Sequence, residues 1–323
     1  MKIIFMGTPL FAVPSLEILI KNNYEISAVV TVPDKKKGRG LQTSVSEVKK
    51  FSGEKNLNIL QPDNLKDNEF IKTLTSINPD LIIVVAFRIL PKEIYTIPKF
   101  GSINLHASLL PKFRGAAPIN RAIINGEKES GVTTFFLKDK VDTGNIIIQK
   151  KINIEDDDDA GSLSQKLSHT GAECVLETVR LIENNNINLT EQDNNLASSA
   201  PKIFKEDCKI NWNQNAITVH NFIRGLSPYP AAFSVLENKS VKIFKTKLTD
   251  INDINDINDI NEINETKEIK SAGILFCRDK KLLVSVSDGL LEILELQLEG
   301  KKKISANDYI NGIDRSKEIL FTF

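Results

Sequence analysis

Cysteine is scarce, and the three present (Cys174, Cys208 and Cys277) lie far apart in a chain of 323 residues. An odd, scattered set without ligand spacing argues against a disulfide framework or a zinc site and fits a reducing cytoplasm. Long apolar runs are also missing. No stretch approaches the length that spans a bilayer, so no membrane partner is expected. The opening Met1-Lys2-Ile3-Ile4-Phe5-Met6-Gly7 is too short in its apolar part for a signal peptide and lacks a small-residue cleavage site. It reads as a buried strand that starts the fold. A surplus of charge of either sign is absent too. Lys plus Arg and Asp plus Glu each number 42, which argues against a chain that coats nucleic acid indiscriminately and leaves room for a local basic patch.

What is present suits two soluble domains. The length exceeds a comfortable single core, and the share of hydrophobic residues, 41%, is ordinary. The first half alternates short apolar runs with helical patterns. Strands are expected at residues 2–6, 26–32, 80–87, 102–106, 131–137 and 145–154, with a helix after Pro14. Leu81-Ile82-Ile83-Val84-Val85-Ala86 is nearly continuous in apolar residues, as in a strand covered on both faces. This rhythm predicts an α/β fold, a doubly wound, mostly parallel sheet with ligands at the carboxyl ends of its strands.

The acidic run Asp156 to Asp159 precedes a helical pattern and reads as a helix start, not a metal site. Residues 184–200 are polar and weakly patterned. Beyond Asp207 come a helix pattern (216–225), the punctuation Ser227-Pro228-Tyr229-Pro230, and five strand-like runs at 232–236, 241–244, 273–277, 282–286 and 290–298. These predict a small OB-like β-barrel. The expected organisation is a catalytic domain over 1–189, a linker over 190–206 and a barrel domain over 207–323. A repeat of Ile-Asn-Asp from Ile251 interrupts the barrel. Its period of three fits neither helix nor strand, so a disordered surface insert is expected near 250–268.

The densest chemistry lies between Asn104 and Ile119. Asn104 and His106 stand two apart at a strand end, so both side chains share one face. An amide can stabilise a developing oxyanion and an imidazole can move a proton near neutral pH. Glycine and proline follow at once, making a loop that can approach a ligand closely. Asp142 lies beyond the next strand and could fix a histidine tautomer or stabilise an imidazolium. Spacing alone leaves this trio open, because a lone histidine is as often structural as catalytic. His169 and His220 fall in helix patterns and read as structural. Asp34-Lys35-Lys36-Lys37-Gly38-Arg39-Gly40 is a basic loop beside the second strand, by itself an ordinary solvated turn.

Taken together, Asn104-x-His106, Ser108-Leu109-Leu110-Pro111, Arg114-Gly115 and Asp142-Thr143-Gly144 resemble the signature of the folate-dependent formyltransferases. The likeness continues in Ile4-Phe5-Met6-Gly7-Thr8-Pro9, Pro33-Asp34 with Gly38-Arg39-Gly40, Gln61-Pro62, Ala200-Pro201-Lys202-Ile203, Ile210-Asn211-Trp212 and Ile223-Arg224-Gly225. It covers nearly the whole chain except the repeat.

The resemblance implies formyl transfer from the co-substrate 10-formyltetrahydrofolate to an amine, without a metal. In the branch that these motifs match, the amine is the α-amino group of methionine esterified to initiator tRNA. Asn104, His106 and Asp142 would be catalytic. Ser108, Leu109, Leu110 and Pro111, with Phe87, Arg88 and Leu90, would contact the folate. Lys35, Lys36, Lys37 and Arg39 would meet the tRNA acceptor end. A cytoplasmic monomer is expected. One departure stands out: where the family shows an Ala-Tyr-Gly type turn before Ile-Leu-Pro, this chain has Ala86-Phe87-Arg88-Ile89-Leu90-Pro91, one residue shorter and without glycine.

Rival readings are a formyltransferase for a small amine, such as glycinamide ribonucleotide or an amino sugar nucleotide, and a hydrolase of formyl-folate. From other classes come a nicotinamide dehydrogenase, for which Gly7-Thr8-Pro9 lacks the glycine fingerprint, and a non-catalytic RNA-binding protein, which would not need the trio.

Overall fold

The computed structural model describes residues 1–37, 42–249, 272–312 and 319–322. Arg39 and the Ile-Asn-Asp repeat, with the insert expected there, lie outside the described residues. Two compact units form, one from 1–118, 129–153 and 164–201, the other from 119–128, 154–163 and 202–323.

The first unit is built on β1 (Lys2–Gly7), α1 (Val13–Lys21), β2 (Glu25–Val30), β3 (Lys35–Lys37), β4 (Gln42–Ser44), α2 (Glu47–Glu54), β5 (Ile59–Leu60), α3 (Asn68–Ile77), β6 (Leu81–Val85), α4 (Lys92–Tyr95), β7 (Ser102–His106), β8 (Arg114–Gly115), β9 (Glu129–Phe136), β10 (Ile146–Asn153), most of α6 (Ala160–Glu183) and β11 (Ser199–Ala200), while α5 (Pro118–Ile124), between β8 and β9, falls with the second unit from residue 119 on. The order across its main sheet is β10-β9-β7-β6-β1-β2-β5. Strands β5, β2, β1, β6 and β7 run parallel, and β9 and β10 are antiparallel additions at one side. Every residue of β6 is buried, as its unbroken apolar run requires. Ile4, Met6, Ile82 and Val84 pack against Phe70, Leu74 and Ile94 of α3 and α4. On the opposite face, Leu105 lies so near Gly171 of α6 that a Cβ there would come within 2.7 Å. Neighbouring strand positions alternate in direction, so Asn104 and His106 face away from α6.

The second unit contains α7 (Ala216–Leu226), β12 (Ala232–Leu236), β13 (Lys239–Leu248), β14 (Ile274–Arg278), β15 (Lys281–Val286), β16 (Gly289–Leu298), β17 (Ile304–Ser305), α8 (Ala306–Asn311) and β18 (Ile319–Thr322). Its sheet runs β13-β12-β18-β14-β15-β16-β17 and closes through a β13–β16 pairing. The ring therefore has six antiparallel strands, one more than the five strand-like runs suggest. Strand β18 is the addition, a four-residue segment too short to stand out by periodicity. Trp212, Val219, Ile223, Val241, Ile243, Leu291 and Ile293 fill the core.

The two compact units are not contiguous in sequence. Residues 119–128 and 154–163 belong with the second unit. The reason is visible in α7: Arg224 donates to the carbonyls of Asp158 (2.8 Å) and Glu155 (3.2 Å), and Asn120 donates to that of Gly225 (2.7 Å). Asp159 caps α6 by accepting from the Ser162 amide at 2.8 Å, the helix-start role expected of the acidic run. Residues 190–201 belong with the first unit, for reasons found at its site.

Candidate active site

Strand β7 ends at His106, beside the carboxyl end of β6. His106 is 6% exposed, and Nε2 lies 2.8 Å from the Phe113 carbonyl oxygen. A carbonyl only accepts, so Nε2 carries the proton, and Nδ1 is left as the second protonation site. Nδ1 lies 3.8 Å from Asp142 Oδ2, an ion-pair distance and not a hydrogen bond. The same carboxylate oxygen accepts from the Gly115 amide at 2.9 Å. Phe113 thus holds the ring, while Asp142 supplies a buried negative charge beside its free nitrogen. Asn104 is half-buried on the same face, and among the described residues nothing hydrogen-bonds its side-chain amide.

Both partners of His106 come from strained backbone. Phe113 has φ +60° and Asp142 φ +55°, the left-handed region that costs L-residues energy unless their surroundings impose it. The loop from 113 to 117 is braced by residues 198–200. Ser198 Oγ accepts from the Phe113 amide at 2.9 Å, and β8 pairs with β11. Gly115 has φ +125°, and a Cβ there would stand 2.6 Å from the Ala200 carbonyl. Only glycine satisfies both demands while presenting its amide to Asp142.

Gln192 completes this frame. Its Nε2 donates to the carbonyls of Asp142 (3.0 Å) and Gly144 (2.8 Å), and its Oε1 accepts from Arg114 Nε and Nη2. Sequence reading missed it, because it lies in the polar stretch taken for a linker. The Phe113 carbonyl and Gly115 amide were missed for a simpler reason, since backbone groups leave no residue-type signal.

The expected folate residues separate into two sets. Ser108 is buried and its hydroxyl donates to the Lys112 carbonyl at 2.6 Å. Leu110 is buried, its backbone held by Thr133 Oγ1 (3.2 Å) and Gln149 Nε2 (2.7 Å). Leu90 is buried in the core with Ile94. These three side chains are buried within the loops and shape them. Leu109, Pro111 and Phe87 are half-buried. Arg88 stacks over the Phe87 ring at 5.1 Å and donates to the carbonyls of Pro62 (2.8 Å) and Asp63 (3.0 Å). Burial pulls its pKa below the ordinary arginine value. The guanidinium is therefore committed to the neighbouring segment, and it is the adjacent Ile89, 75% exposed, that faces outward.

Lys35, Lys36 and Lys37 form β3, which among the described residues pairs with β4 alone. His169 is exposed on α6, apart from this site, and His220 lies in α7 with Nδ1 2.9 Å from Thr246 Oγ1. Among the described residues no group of three His, Cys, Asp or Glu side chains could hold a metal ion, and no helix is long and apolar enough to cross a membrane.

An amide donor without a partner, an imidazole with one free nitrogen and a buried carboxylate, gathered at the carboxyl end of a parallel sheet, are the fittings of an acyl-transfer centre. Comparison with known proteins makes the class specific. The chain belongs to the formyl transferase family: residues 1–179 match the formyl transferase domain and residues 202–314 the formyl transferase C-terminal domain. It is 45% identical to the methionyl-tRNA formyltransferase of Flavobacterium johnsoniae, over 98% of both chains. It is 46% identical to that of Thermodesulfovibrio yellowstonii, over 96% of this chain and 95% of the relative. The fold is shared with the sugar 3N-formyl transferase WlaRD, crystallised in the presence of dTDP and 5-N-formyl-THF (TM-score 0.64, 24% identity, 94% of this chain and 99% of that one).

Proposed function

We propose that this enzyme transfers the formyl group of 10-formyltetrahydrofolate to the α-amino group of methionyl initiator tRNA. The observation that carries the chemistry is His106, fixed through Nε2 and open at Nδ1 beside Asp142. The likeness to methionyl-tRNA formyltransferases along nearly the entire chain supports the acceptor.

In this mechanism the amine lone pair forms the new C–N bond at the formyl carbon, and the carbonyl electrons move onto oxygen. Asn104, whose amide has no partner among the described residues, donates to that oxyanion. The attacking nitrogen gives up a proton to Nδ1 of His106, directly or through water, and Asp142 stabilises the resulting imidazolium. His106 supplies a proton from Nδ1 to the folate nitrogen as the C–N bond to the donor breaks. Tetrahydrofolate and formylmethionyl-tRNA leave, and no covalent enzyme intermediate forms. The half-buried Phe87, Leu109 and Pro111, with exposed Ile89, offer apolar surface at the same sheet end for the flat ring of the donor.

The basic hairpin β3–β4 and the second unit serve the RNA in this reading. Lys239, Lys242, Lys245 and Lys247 are exposed along β13, a stripe suited to phosphate. The reading keeps a catalytic half over 1–189, a connecting segment over 190–206 and an RNA-binding barrel over 207–323, in a cytoplasmic monomer. The test is incubation with 10-formyltetrahydrofolate and charged initiator or elongator methionyl-tRNA, following formyl transfer. Efficient formylation of the initiator is expected. Formylation of glycinamide ribonucleotide or an amino sugar nucleotide, but not of methionyl-tRNA, overturns the proposal.

A further inference from the structure

Hairpin β3–β4 has three residues in each arm and, among the described residues, pairs with no other strand. A ribbon so short does not hold itself in place, so its direction is set where it is rooted. Its two roots are Asp34, just before β3, and the turn into α2 after β4. Lys49 of α2 reaches across and donates to Asp34 Oδ2 at 2.6 Å. Gln61, from a third segment beyond β5, donates to Asp34 Oδ1 at 2.9 Å and to the Val32 carbonyl at 2.8 Å. Thr31 and Ser46 hydroxyls meet across the same neck at 2.8 Å. Both oxygens of Asp34 are thus engaged. The hydrogen bond from Lys49 first, then that from Gln61, holds its carboxyl below the ordinary aspartate range.

A pair this close to solvent adds little to fold stability. Its consequence is directional and electrostatic. It ties both roots and the 61–63 segment to one carboxylate. It also neutralises an acid that adjoins Lys35 and would otherwise subtract from the hairpin's positive field. We propose that Asp34, Lys49 and Gln61 form a clamp that positions the basic hairpin for the acceptor RNA, so that they govern affinity for methionyl-tRNA and not the chemical step. The inference rests on the reading of the hairpin as an RNA-contacting element.

The experiment measures kcat and both KM values for the full-length enzyme, with initiator methionyl-tRNA and 10-formyltetrahydrofolate varied in turn. Gln61→Ala and Lys49→Met are each expected to raise the KM for tRNA about tenfold, with kcat and the KM for donor within about twofold. Lys49→Arg restores the tRNA KM, since it keeps the pair. Gln61→Ala changes no charge, so it leaves the salt dependence of tRNA binding unaltered, which separates positioning from direct phosphate contact. A tRNA KM within about twofold of wild type for both variants, or a change that falls on donor KM or kcat, overturns the clamp. Replacement of Lys35, Lys36, Lys37 and Arg39 together is the reference. If that variant also binds tRNA normally, the RNA reading of the hairpin fails. If it binds weakly while Gln61→Ala and Lys49→Met do not, only the clamp fails.

Discussion

Gly144→Ala tests the frame around Asp142 without touching a catalytic group. Gly144 lies under the end of β9, where a Cβ would stand 1.6 Å from the Phe136 carbonyl oxygen and 2.9 Å from Phe135 Cδ2. Real Cβ contacts essentially never fall below 3.0 Å, so the two backbones must separate by at least about 1.4 Å, the difference between these distances. Strand β9 is held between β7 and β10, so the loop moves. Gln192 grips the carbonyls of both Gly144 and Asp142, so that motion is passed to the carboxylate, away from Nδ1 of His106 and the Gly115 amide. Misplacement of a catalytic group by ~1 Å costs about 100-fold in rate. The expected result is therefore a kcat down about 100-fold with the KM for tRNA little changed, and a melting temperature lower by a few degrees from about 1–3 kcal/mol of strain. Steady-state formyl transfer and thermal melts measure both. Thr143→Ala is the local control. It removes one hydrogen bond, from Oγ1 to the Lys140 carbonyl at 2.9 Å, and leaves the backbone free to stay in place. A folded Gly144→Ala enzyme with kcat within about threefold of wild type would refute the claim that this frame sets the carboxylate.

Asn104→Ala, His106→Ala and Asp142→Ala are each expected to lower turnover by about 100-fold or more in the formyl-transfer assay; near-normal rates for His106→Ala contradict its role. Replacing Lys35, Lys36, Lys37 and Arg39 weakens methionyl-tRNA binding and flattens its dependence on salt, read from a titration at several ionic strengths. His220 is held neutral, its pKa pushed down to about 4 by burial first and by Arg224 next. The unfolded chain binds a proton there below about 6.5, so this contribution is complete above that pH and is lost as pH falls toward about 4. Melting temperatures of wild type should drop across that window, and His220→Gln should lose part of the drop. Deleting residues 251–265 should leave turnover nearly unchanged, since the segment reads as a solvated expansion, and a collapse in kcat contradicts that reading.

How much of this was legible in sequence depended on whether a side chain or the backbone did the work. The run at 81–86 announced β6 because a strand covered on both faces needs no polar alternation, and β6 is buried throughout. Asn104 and His106 were paired by the strand period alone, and β7 places both on one face. Asp142 was a candidate from its place beyond the next strand, but its position beside His106 could not be read there, because it depends on a left-handed residue and on Gln192, fifty residues further along. Ser108, Leu110 and Leu90 were singled out by motif, and their burial was not legible there, because packing decides which side chains turn inward. The three lysines of β3 gave no strand signal, since lysine is a poor strand former and the pairing is local.

The sixth strand of the barrel has a bearing on how the ring closes. Strand β18 lies between β12 and β14 and hydrogen-bonds both, yet it follows every other barrel strand in the chain. Without β18, β14-β15-β16-β13-β12 is only an open sheet with two unpaired edges. Such edges recruit other strands, including those of neighbouring chains. Closure of the barrel thus hangs on four residues and not on its hydrophobic core, and loss of their pairing would leave a packed core on a sheet with two edges open to misassembly.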